Sequence, residues 1–348
     1  MRRVAAVLAI TIAGCAGEAA APNPPNLVPK LAEPHTSAAH LYVANATNVT
    51  VYDVTSRPIG KYVRTIQKGV VSPSVLAFDA TGSLYVLNAT SNGPVVTVYA
   101  RGSKAVSRSI TLPKKYPLYG MDVAPNGTMY VLQGGPSQKG YTLGGTILEY
   151  APGASSVSKR LSLDYLYPAG MAIDSAGNVY AAGNGEGGLI RSNSTVVEFA
   201  ATGSAPTYIS DPQWYDGTIL NGIVVDNAGN VYVSSTTPYS GIDVFPAGNT
   251  SPSMQIEVNG CPYAGGADAK TDLYVFDPCD RDLLVFAPGS TTPSLTIARA
   301  STILTTDAAN NVYVGTSKGV FVYPPGSATT RDLITANINH PRTLAIGP

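Results

Sequence analysis

Charge is scarce in this 348-residue chain: Asp, Glu, Lys and Arg make up 13% of it, and the formal net charge is zero. Without a field of one sign, the chain lacks the long-range attraction on which nucleic-acid readers and binders of anionic membranes depend, so nucleic acid is not expected as a partner. Histidine is confined to His35, His40 and His340, which leaves general-base catalysis few candidates. Cysteine occurs three times and tryptophan once. What is abundant is Gly (35), Pro (27) and Tyr (21), the composition of short strands joined by many turns rather than of helices or of a disordered chain.

The N-terminal apolar run, Val4 to Ile12, is far shorter than the roughly 20 residues a bilayer requires. With Arg2 and Arg3 before it and Ala13-Gly14-Cys15 after it, residues 1–15 read as a signal peptide. Ile12-Ala13-Gly14-Cys15 resembles a bacterial lipobox, which implies cleavage before Cys15, lipidation of its thiol and attachment at the cell envelope by the lipid alone. Ala16 after the cysteine points to the outer membrane in a Gram-negative cell. Ordinary cleavage near Ala20 or Ala21 is the alternative. Residues 16–38, rich in Ala and Pro and without periodicity, read as a flexible tether.

The body, residues 39–348, is organised around one stretch, Val224-Val-Asp-Asn-Ala-Gly-Asn-Val-Tyr-Val233. Two alternating apolar runs flank turn residues, the pattern of a tight hairpin. Copies of its tyrosine fall at Tyr42, Tyr85, Tyr130, Tyr180, Tyr232, Tyr274 and Tyr313, spaced 43, 45, 50, 52, 42 and 39 residues apart. That period is the one four-stranded propeller blades require. A second signature follows each copy, from Val-Thr-Val-Tyr52 to Val-Phe-Val-Tyr323, and a third alternating run completes strands A to D of each repeat. The first repeat begins at strand B, and Pro341 to Gly347 look like a strand A with nothing after it. The expectation is an all-β, seven-bladed β-propeller whose C-terminal strand completes the first blade, closing the ring without an exposed sheet edge. A monomer is expected. The basic run Arg101 to Lys115, five cations and no acid, falls on an outermost strand and reads as edge protection rather than a binding patch.

Strand A followed by Asp-x-x-Gly-Asn and Val-Tyr-Val resembles the NHL-type β-propeller over residues 39–348. Leu273-Tyr-Val-Phe-Asp277-Pro-Cys-Asp280-Arg-Asp-Leu283 resembles the B–C region of that family's repeat. The resemblance implies the fold; its members include lactone hydrolases, lyases, RNA readers and protein-binding scaffolds.

Asp79, Asp174, Asp226, Asp268 and Asp307 share the end of strand A and read as turn formers accepting backbone N–H bonds, with Ala124 and Gly347 at that position in the other blades. In blade six, pairing Asp268 with Asp272 brings Cys261, seven residues before the one, opposite Cys279, seven residues after the other. A disulfide is expected there, with a buried pair of free thiols as the alternative. Gly183 to Gly188 fits G-x-G-x-x-G and Gly315 to Gly319 fits G-x-S-x-G, yet both join strands B and C, with no helix behind them to hold a phosphate or present a nucleophile.

Ligands of a propeller enter at the mouth, built from D–A loops, the starts of A strands and B–C loops. Five residues before the shared Asp position stand Ser74, Tyr119, Ala169, Asn221, Tyr263, Thr302 and Arg342. Arg342 beside His340 suits a carboxylate or phosphate, and Tyr119, Tyr263 and Trp214 suit stacking on a sugar or peptide; the alternative is that these residues plug the mouth by packing and hydrogen bonding. Asn221-Gly-Ile223 resembles a segment of propeller lactone hydrolases, which implies a central divalent cation, but no carboxylate stands at the ring positions. The acidic loop Asp277, Asp280 and Asp282 offers oxygen ligands for Ca²⁺, against Arg281, or is a set of solvated turn charges. The function expected is a cell-envelope binding or scaffold module taking a protein, peptide or glycan at its mouth. The alternative is a metal-dependent lactone hydrolase or lyase.

Overall fold

The computed structural model describes residues 39–348 apart from 139–140, 143, 165, 186–192, 204, 215–217, 238–239, 269, 299 and 302. Cys15, the leader and tether, Thr302 and Glu186 to Gly188 therefore lie outside the described residues. Among the described residues the regular elements are strands, and no helix occurs.

Seven antiparallel four-stranded sheets follow one another. In six of them the strands run in sequence order, as in blade two: Pro73–Phe78, Leu84–Thr90, Gly93–Tyr99 and Val106–Thr111. The exception is blade one. There His40–Ala44 pairs with Val49–Asp53 on one side and with Thr343–Gly347 on the other, Leu41 opposite Ile346 and Val43 opposite Leu344. The C-terminal strand thus completes the first blade, and the fold is a seven-bladed β-propeller. An additional two-stranded ribbon, Ser137–Gln138 with Tyr141–Thr142, rises from the B–C loop of blade three.

Closure does not remove every sheet edge, contrary to the expectation. The outer strand of each blade, such as Lys61–Ile66 or Val106–Thr111, still turns one side outward. Closure seals only the edge that blade one would otherwise have presented at the seam. The basic run does fall on and beside an outermost strand, with Arg108 within Val106–Thr111.

Because a blade is sandwiched between two others, both faces of its inner strands are apolar. Leu41 and Val43 pack with Tyr313, Val320 and Val322 of blade seven, whereas Tyr42 and Ala44 pack with Leu76, Leu84 and Val86 of blade two. Seven such clusters, one at each interface between consecutive blades, replace a single central core. This is why the strand pattern reads as nearly continuous runs of Val, Leu and Tyr.

The repeated hairpin has one chemistry. Oδ1 of Asp226 accepts the backbone N–H groups of Ala228 and Asn230, and its Oδ2 accepts Asn230 Nδ2 at 2.8 Å and the Tyr232 hydroxyl at 3.0 Å. The same tyrosine-to-aspartate bond recurs at Tyr313 (2.8 Å), Tyr274 (3.1 Å), Tyr180 (3.3 Å) and Tyr85 (3.4 Å). The aspartates are turn formers, as expected, and the marker tyrosine is both packed between blades and tied to its own hairpin. Burial, with the adjacent carboxylate, raises the pKa of each of these tyrosines. Blade one forgoes the aspartate for a packing reason: a Cβ at Gly347 would stand 2.4 Å from the Phe78 ring of blade two.

Candidate functional site

The mouth is shaped by irregularity at the start of the A strands. In blades two to six the A–B register skips one residue: Ser74, Tyr119, Ala169, Asn221 and Gly265. Such a bulge leaves one residue unpaired and re-aims it. In blades two to five the skipped residue is the one reached by counting five back from the shared Asp position. In blade six that count reaches Tyr263 instead, two residues before the bulge. In blade one it reaches Arg342, just before strand Thr343–Gly347.

These positions differ in what they leave available. Tyr119 is nearly buried, donates its hydroxyl to Tyr167 Oη at 2.8 Å and stacks edge-on against that ring at 5.3 Å. Ser74 donates to the Leu87 carbonyl. Asn221 donates one Nδ2 hydrogen to the Pro262 carbonyl at 3.4 Å, across the boundary between blades five and six. It is held in place from blade four, where Asn184 brackets the backbone of Leu220: Nδ2 donates to its carbonyl at 3.1 Å and Oδ1 accepts its N–H at 2.6 Å. Tyr263 is 37% exposed. Arg342 is exposed, anchored only through its backbone N–H to the Ala44 carbonyl. Among the described residues the one salt bridge is Arg331–Asp332, so the Arg342 guanidinium has no carboxylate partner. His340, also exposed, holds Nδ1 2.5 Å from Asn339 Oδ1 at a backbone φ of 51°.

Trp214 takes the packing alternative. It is 4% exposed, wedged between blades four and five, with its indole N–H donated to Asp243 Oδ2 at 2.8 Å and its ring 5.6 Å from Phe245. Asp243 is fully buried and also accepts Gln255 Nε2 at 3.1 Å. Beside it lies Asp211, itself buried and capped by the Gln213 N–H. Burial pushes the Asp243 carboxyl up to about 6; the Trp214 and Gln255 donors oppose that rise and the neighbouring Asp211 charge adds to it. Sequence reasoning missed this pair. The available signal was Asp243 itself, a carboxylate at a strand C position that other blades fill with Thr50, Thr97, Leu148 or Val197.

At the blade six rim, Cys261 and Cys279 form a disulfide with Cα atoms 5.6 Å apart. The bulge at Gly265 displaces the ladder by one residue, so extending it would set Pro278 opposite Cys261. The cysteines meet because both lie beyond the strand ends, where Asp277 gathers them. Its Oδ1 accepts both the Cys261 N–H (3.1 Å) and the Cys279 N–H (2.9 Å), and the residue is 2% exposed. Asp277 is thus committed to the turn, Asp280 is exposed, and Asp282 pairs with Asp277 at the start of strand C. Among the described residues no group of three or more His, Cys, Asp or Glu side chains converges as a metal-ligand set. Gly315 to Gly319 forms the B–C turn between strands Val312–Thr316 and Gly319–Tyr323, as expected.

Solved structures place the chain within a fold class and no further. It is similar over 89% of its length, with 11% identity and a TM-score of 0.64, to 99% of a functionally unknown protein from Desulfotomaculum acetoxidans. Apo AztD from Citrobacter koseri matches with 12% identity and a TM-score of 0.61, covering 89% of this chain and 99% of that one. Kuenenia stuttgartiensis hydrazine synthase matches with 15% identity and a TM-score of 0.61, covering 90% of this chain and 96% of that one. At these identities the likeness is one of fold. No protein-family model matches the chain, and no curated protein sequence does.

Proposed function

We propose that this propeller is an exported binding or scaffold module of the NHL-like type, held at the cell envelope by a lipid on Cys15, that captures a protein, peptide or glycan bearing a carboxylate at its mouth. The observation that carries the reading is the uncommitted guanidinium of Arg342, exposed on the same rim as Tyr263, while Tyr119, Ser74 and Asn221 are fixed by hydrogen bonds. A rigid rim with one free fork of donors and one exposed aromatic ring suits a ligand with an acidic group and an apolar face. The disulfide agrees with an oxidising compartment.

Melting-temperature shifts measured across acidic oligosaccharides, peptides with a free C-terminal carboxylate and cell-wall fragments test the proposal. At least one class should raise the melting temperature of the parent, and Arg342→Ala and Tyr263→Ala should each weaken that binding roughly tenfold or more. Absence of any shift, or a shift indifferent to both substitutions, refutes the mouth as a binding site. Lactone turnover abolished by a chelator would replace binding with hydrolysis as the function. Fatty-acid labelling that survives Cys15→Ser would refute the anchor.

A further inference from the structure

Of the hairpins at the foot of the blades, on the face opposite the mouth, five carry the shared aspartate, and blade six differs from blades four, five and seven in the residue four positions after it. In blades four, five and seven an asparagine four residues after the shared aspartate donates Nδ2 to its Oδ2: Asn178 at 2.8 Å, Asn230 at 2.8 Å and Asn311 at 2.7 Å. In blade six that residue is Asp272, whose side chain has no N–H to give. Asp268, 1% exposed, keeps its other partners: Oδ1 accepts the Lys270 and Asp272 backbone N–H groups, and Oδ2 accepts the Tyr274 hydroxyl at 3.1 Å. Where an amide donor closes the hairpins of blades four, five and seven, a second acceptor stands beside the first.

A further observation comes from the next blade. Asn310, 5% exposed, has a buried Oδ1 with no hydrogen-bond donor. It lines the same cleft of about 330 Å³ between blades six and seven as Asp268, Asp272, Tyr274 and Ser294. Lys270 also borders the cleft, yet among the described residues it forms no salt bridge with either carboxylate. Burial and the Asp268 charge raise the pKa of Asp272, and the Lys270 charge opposes them only in part. Two carboxylates and an amide oxygen, with no nitrogen or sulfur ligand, are the donors of a hard divalent cation.

We propose that the cleft between blades six and seven binds Ca²⁺ through Asp268, Asp272 and Asn310, bridging two blades at the foot of the ring. The site is separate from the acidic loop at the mouth and does not depend on the mouth's function.

The test uses the full chain, stripped with a chelator and then melted against increasing CaCl₂ at constant ionic strength near neutral pH. Ca²⁺ should raise the melting temperature progressively, by about 5 °C at roughly one hundred times its Kd. Asp272→Asn restores the amide found in blades four, five and seven. It should melt higher than the parent in chelator and lose the Ca²⁺ response. Asn310→Gly, which keeps the left-handed backbone but removes the oxygen, should weaken the response. Asp280→Asn with Asp282→Asn should leave it unchanged. A parent indifferent to Ca²⁺ overturns the proposal, as does a response that survives Asp272→Asn or one that disappears with the Asp280 and Asp282 substitutions. Stabilisation by acid without any Ca²⁺ response shows that a proton, not a cation, joins the two carboxylates, and overturns it too.

Discussion

Ending the chain at Asn339 removes the strand that completes blade one, and the cost can be worked from its contacts. Leu344, Ala345 and Ile346 are all buried, and the strand pairs with His40–Ala44 along its whole length. Burying a Leu or Ile side chain contributes about 1.5–3 kcal/mol, so Leu344 and Ile346 together account for roughly 3–6 kcal/mol. Each ladder hydrogen bond adds about 0.5–1.5 kcal/mol, and its loss leaves the inner edge of His40–Ala44 unpaired. The Tyr42 hydroxyl also loses its acceptor, the Pro348 carbonyl. The sum approaches the whole net stability of a typical domain, about 5–15 kcal/mol. Truncation should therefore abolish the cooperative thermal transition and expose the body to proteolysis, rather than trim one blade. Leu344→Ala provides a graded control, expected to cost about 2–5 kcal/mol and to lower the melting temperature without abolishing the transition. A truncated chain that melts and resists protease like the parent would refute the closure argument.

Two further outcomes are expected. Asp243 holds its proton more tightly in the folded ring than the unfolded chain does, where a carboxyl titrates near 3.8. That contribution is complete below the ordinary carboxylate range and is lost as pH rises through the raised value. Asp243→Asn should remove this decline from the pH dependence of stability. Emission from Trp214, the one tryptophan, should change over the same range in the parent alone; a pH-independent signal would refute the assignment. Thr271 sits at φ 66° where Gly82, Gly127, Gly177 and Gly229 occupy the same turn position. A left-handed β-branched residue costs about 1–2 kcal/mol and glycine about 0.5–1 kcal/mol of chain entropy, so Thr271→Gly should stabilise the protein by roughly 0.5–1 kcal/mol. Denaturant unfolding measures it, and a lowered midpoint would contradict the strain.

The ring was legible because its signal repeats: one tyrosine in every hairpin fixes the blade count, and the missing first strand A matches the surplus one at the end. The rim was legible by counting from the shared aspartate in blades two to five, where the count lands on the bulged residue. It was less so in blade six. A bulge has no composition of its own, and Gly265 moved the ladder by one position under the cysteines. Trp214 stayed open between stacking and packing for a related reason. Loop residues carry no periodicity, so nothing in the chain says that the D–A loop of blade four turns inward. The Asp211–Asp243 pair lay in two different elements, and only tertiary packing brings them together.

The strand that closes blade one also sets a schedule for synthesis. Strands B, C and D of that blade leave the ribosome well before their fourth partner, which lies about 300 residues further along the chain. At about 5–20 residues per second, on the order of 15–60 s separates His40–Ala44 from Thr343–Gly347. For that interval blade one carries an open sheet edge, available to a chaperone or to another nascent chain. Thr343–Gly347 thus acts as a completion signal, since until that strand arrives no copy can become a finished ring.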